Sequence, residues 1–206
     1  ISPPPDYCHD TAISPEGIRV ARIEGGTVIF REVSDGRTLW QARYQKETSL
    51  SPCVRFDAAG SRVFVVAAHV SVLDAATGKE LSGFDLTFGK YTTLNTAAVS
   101  PDGRWLATRH YDGLVVRDTA DGRVVFTEPS MNYGDTLAFT PDGSRIAAGE
   151  YAGHRGGVHF WHVGGWGSAG ALDPGIGTVT ALAFSRDGLL GAAGGFYGQV
   201  AVWDMI

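Results

Sequence analysis

Three histidines fall close together, His154, His159 and His162. Imidazole is the commonest side chain for binding a transition metal or moving a proton near neutral pH. His159 and His162 lie in an apolar run that reads as a strand, where residues three apart point to opposite faces. No carboxylate or cysteine at ligand spacing completes a set, so no metal is expected. The segment Gly165-Trp166-Gly167-Ser168-Ala169-Gly170 spells G-x-G-x-x-G. That pattern cradles a pyrophosphate only where it opens a helix after a strand. Leu172-Asp173-Pro174-Gly175 follows instead and cannot start such a helix. There is no nucleophile elbow and no spaced Ser, His and Asp set. The residues point to a non-catalytic chain with no cofactor.

A second group suits recognition. Tyr and Arg are the side chains that most often anchor an interface. Tyr111, Tyr151 and Phe196 each stand eight residues after a turn glycine (Gly103, Gly143 and Gly188). Arg109, His110, His154, Arg155 and Tyr197 flank them, and Tyr91 and Tyr133 come from the longer connections. Together they make a candidate rim for a protein or peptide partner. The competing reading is that these aromatic residues fill gaps between packed sheets.

What must position them is a repeat. The turns Ser14-Pro15-Glu16-Gly17, Asp57-Ala58-Ala59-Gly60, Ser100-Pro101-Asp102-Gly103, Thr140-Pro141-Asp142-Gly143 and Ser185-Arg186-Asp187-Gly188 recur about every 43 residues. Proline presets φ, Ser or Asp bonds the local backbone, and glycine takes the positive φ. Recurrence in every unit favours a structural turn over a phosphorylation site. A second turn follows at Asp35-Gly36, Thr77-Gly78, Asp121-Gly122 and Gly164-Gly165, the type that closes a hairpin. Between the turns the apolar residues alternate: Val28 and Phe30, Val70 and Val72, Leu114 and Val116, Val158 and Phe160, Val200 and Val202. Spacing two places each pair on one face of a strand. No sustained 3.6-residue stripe appears, so almost no helix is expected. Each unit reads as four strands, a to d. A sheet this small must bury its faces against its neighbours.

Composition agrees with an all-β globular chain. Of 206 residues, 44% are apolar and 19% charged, with 28 glycines. The net charge of −5 and the absence of a basic run argue against binding duplex nucleic acid. No apolar stretch is long enough for a membrane helix. Cys8 and Cys53 are too few for a disulfide framework and lie at unequal offsets in their units, which points to free thiols and a cytoplasmic, reducing location.

With these turns and strands the chain resembles the WD-repeat β-propellers, and among them the divergent bacterial members. The dipeptide that names the family stands at the end of a strand c as Trp203-Asp204, with Arg117-Asp118, Leu73-Asp74, Trp161-His162 and Arg31-Glu32 at the equivalent positions. The Gly-His pair that opens many family repeats is missing, and the Asp of the b–c turn survives plainly only as Asp112. The resemblance implies an all-β propeller portion of about five four-stranded blades, with units near 7–44, 45–87, 88–128, 129–173 and 174–206 after a proline-rich linker at 1–6. The last blade lacks its outer strand, because the next c–d turn falls due at the chain's end. The expectation is therefore the C-terminal part of a larger propeller, or an open arc that self-associates through its blade edges. The function implied is a protein- or peptide-binding scaffold within a larger protein. Its rivals are a segment that merely completes a propeller bound elsewhere, and a propeller enzyme with a central metal or cofactor.

Overall fold

The computed structural model describes residues 8–44, 52–86, 94–110, 113–129, 133–151 and 156–205. The linker expected at 1–6 lies outside them. Every element among the described residues is a strand. The first sheet holds β1 (Cys8–Ile13), β2 (Arg19–Glu24), β3 (Thr27–Glu32) and β4 (Thr38–Arg43). The second holds β5 (Cys53–Phe56), β6 (Arg62–Val66), β7 (His69–Asp74) and β8 (Glu80–Asp85). The third holds β9 (Thr96–Val99), β10 (Trp105–His110), β11 (Gly113–Asp118) and β12 (Val124–Glu128). The fourth holds β13 (Tyr133–Phe139), β14 (Arg145–Glu150), β15 (Val158–His162) and β16 (Ser168–Leu172). The fifth has three strands, β17 (Val179–Phe184), β18 (Leu190–Gly195) and β19 (Val200–Asp204). Each sheet is an antiparallel meander. The first strands β1, β5, β9, β13 and β17 touch one another in series, so the sheets fan outward from a shared inner edge as propeller blades do.

The recurring a–b turn forms because a side-chain oxygen caps it. Ser100 Oγ accepts a hydrogen bond from Trp105 N (2.9 Å) and donates to Asp102 (2.6 Å). Thr140 repeats this with Arg145 N (3.0 Å) and Asp142 (2.6 Å), and Ser185 with Leu190 N (2.9 Å) and Asp187 (2.5 Å). In the second sheet Asp57 takes the hydroxyl's place, accepting from Arg62 N at 3.1 Å. The anchor glycines all adopt a left-handed φ, between 66° at Gly60 and 75° at Gly17 and Gly188. A side chain there would be strained.

The core is four slabs, one between each pair of neighbouring sheets. Ala21, Ile23, Val28 and Phe30 of the first sheet meet Val54, Val63, Val65 and Leu73 of the second. The same face of each later sheet packs on the next one. Alternation along strand c decides which face this is. Aromatic residues of strand d wedge the slabs from outside. Trp40 stacks on Phe30 at 4.7 Å, and its Nε1 donates to Ala75 O across the junction at 2.9 Å. Trp40 lies flat over Gly78, where a Cβ would meet the indole at 2.7 Å.

Candidate functional site

The b–c turns and the d–a connections lie at one end of the fan, because each sheet is a meander of four strands. In the fifth sheet the b–c turn is Gly195-Phe196-Tyr197-Gly198. Gly198 N donates to Gly195 O at 3.0 Å, with Gly198 at φ +84°. Phe196 N donates to Thr178 O at 2.9 Å, which ties the turn to the segment crossing from the fourth sheet. Gly195 has no room for a side chain, since a Cβ would lie 2.5 Å from Ile176 O. The same segment presses on the fourth sheet's turn, where a Cβ on Gly156 would lie 1.7 Å from Gly177 O. One buried crossing, anchored by Ile176, thus holds the base of the fifth sheet's turn and packs against Gly156 of the fourth sheet.

Above this base three large rings project into solvent. Tyr151 is 65% exposed, Phe196 69% and Tyr197 67%. Phe196 and Tyr197 meet edge to face, with centroids 5.4 Å apart. The structure therefore brings Phe196 and Tyr197 together and sets Tyr151 on the adjacent blade.

Arg109 and His110 are placed differently. They are buried on opposite faces of β10. Arg109 Nη1 donates to Gly113 O at 3.2 Å. Thr108 Oγ1 donates to Val115 O (3.3 Å), accepts from Arg117 Nη1 (3.3 Å) and lies 2.8 Å from His110 Nε2. Burial lowers the Arg117 guanidinium below its usual value. Arg109 and His110 are therefore buried within the ladder and not displayed on the surface. Tyr91, Tyr111, His154 and Arg155 lie outside the described residues, as does the side chain of Tyr133.

The remaining candidates for chemistry are dispersed. His159 Nε2 lies 2.9 Å from Glu150, and His162 on the other face is exposed. Among the described residues no group of three or more His, Cys, Asp or Glu side chains could hold a metal ion. The G-x-G-x-x-G segment leads into β16, a strand, with no helix after it. Cys53 is buried, and burial pushes its thiol up. No helix among the described residues is long and apolar enough to cross a membrane.

Sequence reasoning missed one polar constellation. Asp10 on β1 accepts from Val54 N at 3.0 Å and from Arg55 Nη1 at 2.5 Å. Arg55 Nε donates onward to Ala97 O on β9 at 2.8 Å. This chain laces the first strands of three blades at the inner edge. The signal was an acid and a base about one repeat apart.

Comparison with known proteins agrees with this architecture. Residues 174–204 match the family model described as WD domain, G-beta repeat. That stretch holds the whole fifth sheet, Trp203-Asp204 included. The fifth sheet thus matches a WD repeat, and the chain as a whole has the fold of a β-propeller. Among solved structures the propeller matches Kuenenia stuttgartiensis hydrazine synthase with a TM-score of 0.72 at 14% identity. The match covers 97% of the propeller chain and 63% of that chain, so it spans less than two thirds of the other's length. At that identity the likeness is one of fold. A search of curated proteins gave no match. Since 1447 solved chains match this propeller, the fold alone singles out no activity.

Proposed function

We propose that this propeller is a non-catalytic scaffold that binds a protein or peptide, and that the rim of the fourth and fifth blades is its contact surface. The observation that carries the reading is the exposure of Tyr151, Phe196 and Tyr197, the last two on a turn whose backbone is pinned to a buried crossing. Exposed aromatic anchors on a rigid base lose little entropy on binding. The WD repeat supports an interaction role. The test is quantitative capture of a purified partner, identified by cross-linking to wild-type protein. Phe196→Ala combined with Tyr197→Ala is expected to weaken binding by about tenfold or more. Unchanged affinity in the folded double variant overturns the rim.

A second reading rests on its own observation. Val200 and Val202 are 73% and 63% exposed, while their equivalents in the other four sheets are buried. On this reading the chain completes a larger propeller, and a further blade covers the fifth sheet. Covering that face would then bury both valines and leave partner binding indifferent to Phe196 and Tyr197.

A further inference from the structure

The outer half of the second blade carries a polar cluster built on β7 and β8. The register pairs His69 with Asp85 and Ser71 with Gly83. Val70, Val72 and Phe84 pack toward the third sheet, so His69 and Ser71 take the opposite face. His69 Nδ1 lies 2.7 Å from Asp85 Oδ1. A carboxylate only accepts, so Nδ1 carries the proton and the neutral ring keeps its lone pair on Nε2. Ser71 is buried, and its Oγ donates to Glu80 Oε2 at 3.2 Å. Glu80 Oε1 stands 3.7 Å from His69 Nε2. That separation is beyond hydrogen-bond range. Two atoms bound to one zinc ion at the tetrahedral angle stand about 3.4 Å apart. The two atoms converge over Gly83, where a Cβ would lie 2.6 Å from each. The fold itself does not require this arrangement. Where the second blade has His69 and Gly83, the first has Thr27 and Gln41, the third Gly113 and Thr127, and the fourth Gly157 and Ala171.

We propose that His69 Nε2 and Glu80 Oε1 bind a divalent transition ion of the zinc and copper class. Imidazole joined to a carboxylate suits these ions, whereas magnesium takes oxygen ligands. Asp85 and Ser71 are positioning residues, which fix the ring and the carboxylate from behind. Asp85 holds the far ring nitrogen and so is not a third ligand. With two protein ligands, the ion keeps water in its other positions, and these stay open to a donor from a partner. The side chains of His69 and Glu80 are 24% and 51% exposed, so an ion reaches both from solvent. None of the rim residues takes part.

The experiment titrates the metal-stripped 206-residue chain with zinc chloride alone, by calorimetry, and repeats the titration with magnesium chloride. One equivalent of zinc is expected to bind saturably, and magnesium is not. His69→Asn should abolish that equivalent, and Glu80→Gln should weaken it about tenfold or more. Asp85→Asn touches no ion and should still weaken it about tenfold, by freeing the ring. Gly83→Ala keeps every ligand and should weaken binding by about as much, because its Cβ fills the space where the two atoms converge. The strand accepts that side chain, since Ala171 holds the equivalent position in the fourth blade. Circular dichroism identifies the variants that keep the fold. Absence of saturable zinc binding overturns the proposal. An equivalent that survives in folded His69→Asn assigns the zinc to another histidine and overturns it too. Magnesium binding of equal strength would rule out the imidazole ligand. Should His69→Asn not fold, undiminished zinc binding by folded Gly83→Ala overturns the site.

Discussion

The strand c pairs of this propeller offer one chemical pattern in two environments. Val28 and Phe30, Val70 and Val72, Leu114 and Val116, and Val158 and Phe160 are at most 8% exposed, each under the following blade. Val200 and Val202 occupy the same place in the fifth blade at 73% and 63% exposure. Pairing with strand b is the same in both: β19 keeps a full antiparallel ladder with β18. Secondary structure here is therefore decided within a blade, and burial is decided between blades. That division is expected of repeat folds, where stability is the sum of unit and interface contributions. The fifth blade still packs its other face, through Leu182, Phe184 and Trp203, on the fourth.

The largest expected effect lies in a closed junction. Phe30→Ala should cost about 3–5 kcal/mol in urea denaturation, because the ring is fully buried and supports Trp40 and Phe56. Gly156→Ala should cost about 3 kcal/mol, since its Cβ would collide with a backbone oxygen that cannot turn aside. Gly165→Ala, with nothing within 4 Å, is the control and should stay within about 0.5 kcal/mol. A direct test of the comparison uses one substitution at two equivalent sites. Val70→Ala should cost about 2 kcal/mol and Val200→Ala under about 0.5 kcal/mol. Equal costs would mean that the fifth face is covered in solution. Light scattering across concentration would then show the association responsible.

Much of this architecture was legible because repetition exposes backbone chemistry. The turn glycines and the period-two pairs locate strands b and c in each unit. The rim was legible only in part. An offset of eight residues from the turn glycine identifies the turn but does not reveal what packs on it. Phe196 and Tyr197 project because Gly195 and Gly198 close a tight turn beyond the sheet. Arg109 and His110 still belong to the ladder of β10, where neighbouring sheets cover both faces. The Asp10–Arg55 link depends on side chains from different repeats meeting in space. No single repeat contains that information.

The smallest effect separates the turns from the slabs. Hydrogen bonds from Thr140 and Ser144 hold the Asp142 carboxyl below its usual value, and one from Ser185 does the same for Asp187. A carboxyl held low in the folded state stabilises it above the unfolded value, near pH 4. That contribution fades as pH falls through the lower folded values. The urea midpoint should therefore decline below about pH 4, by less than any substitution above, because both groups face solvent screening. Asp142→Asn removes one of these titrating carboxyls and should make the decline shallower. Val70→Ala should shift the midpoint equally at every pH, because it removes apolar burial and no charge. If Val70→Ala changed the slope and Asp142→Asn did not, acid sensitivity would belong to the blade junctions, and the separation of turn chemistry from blade packing would fail.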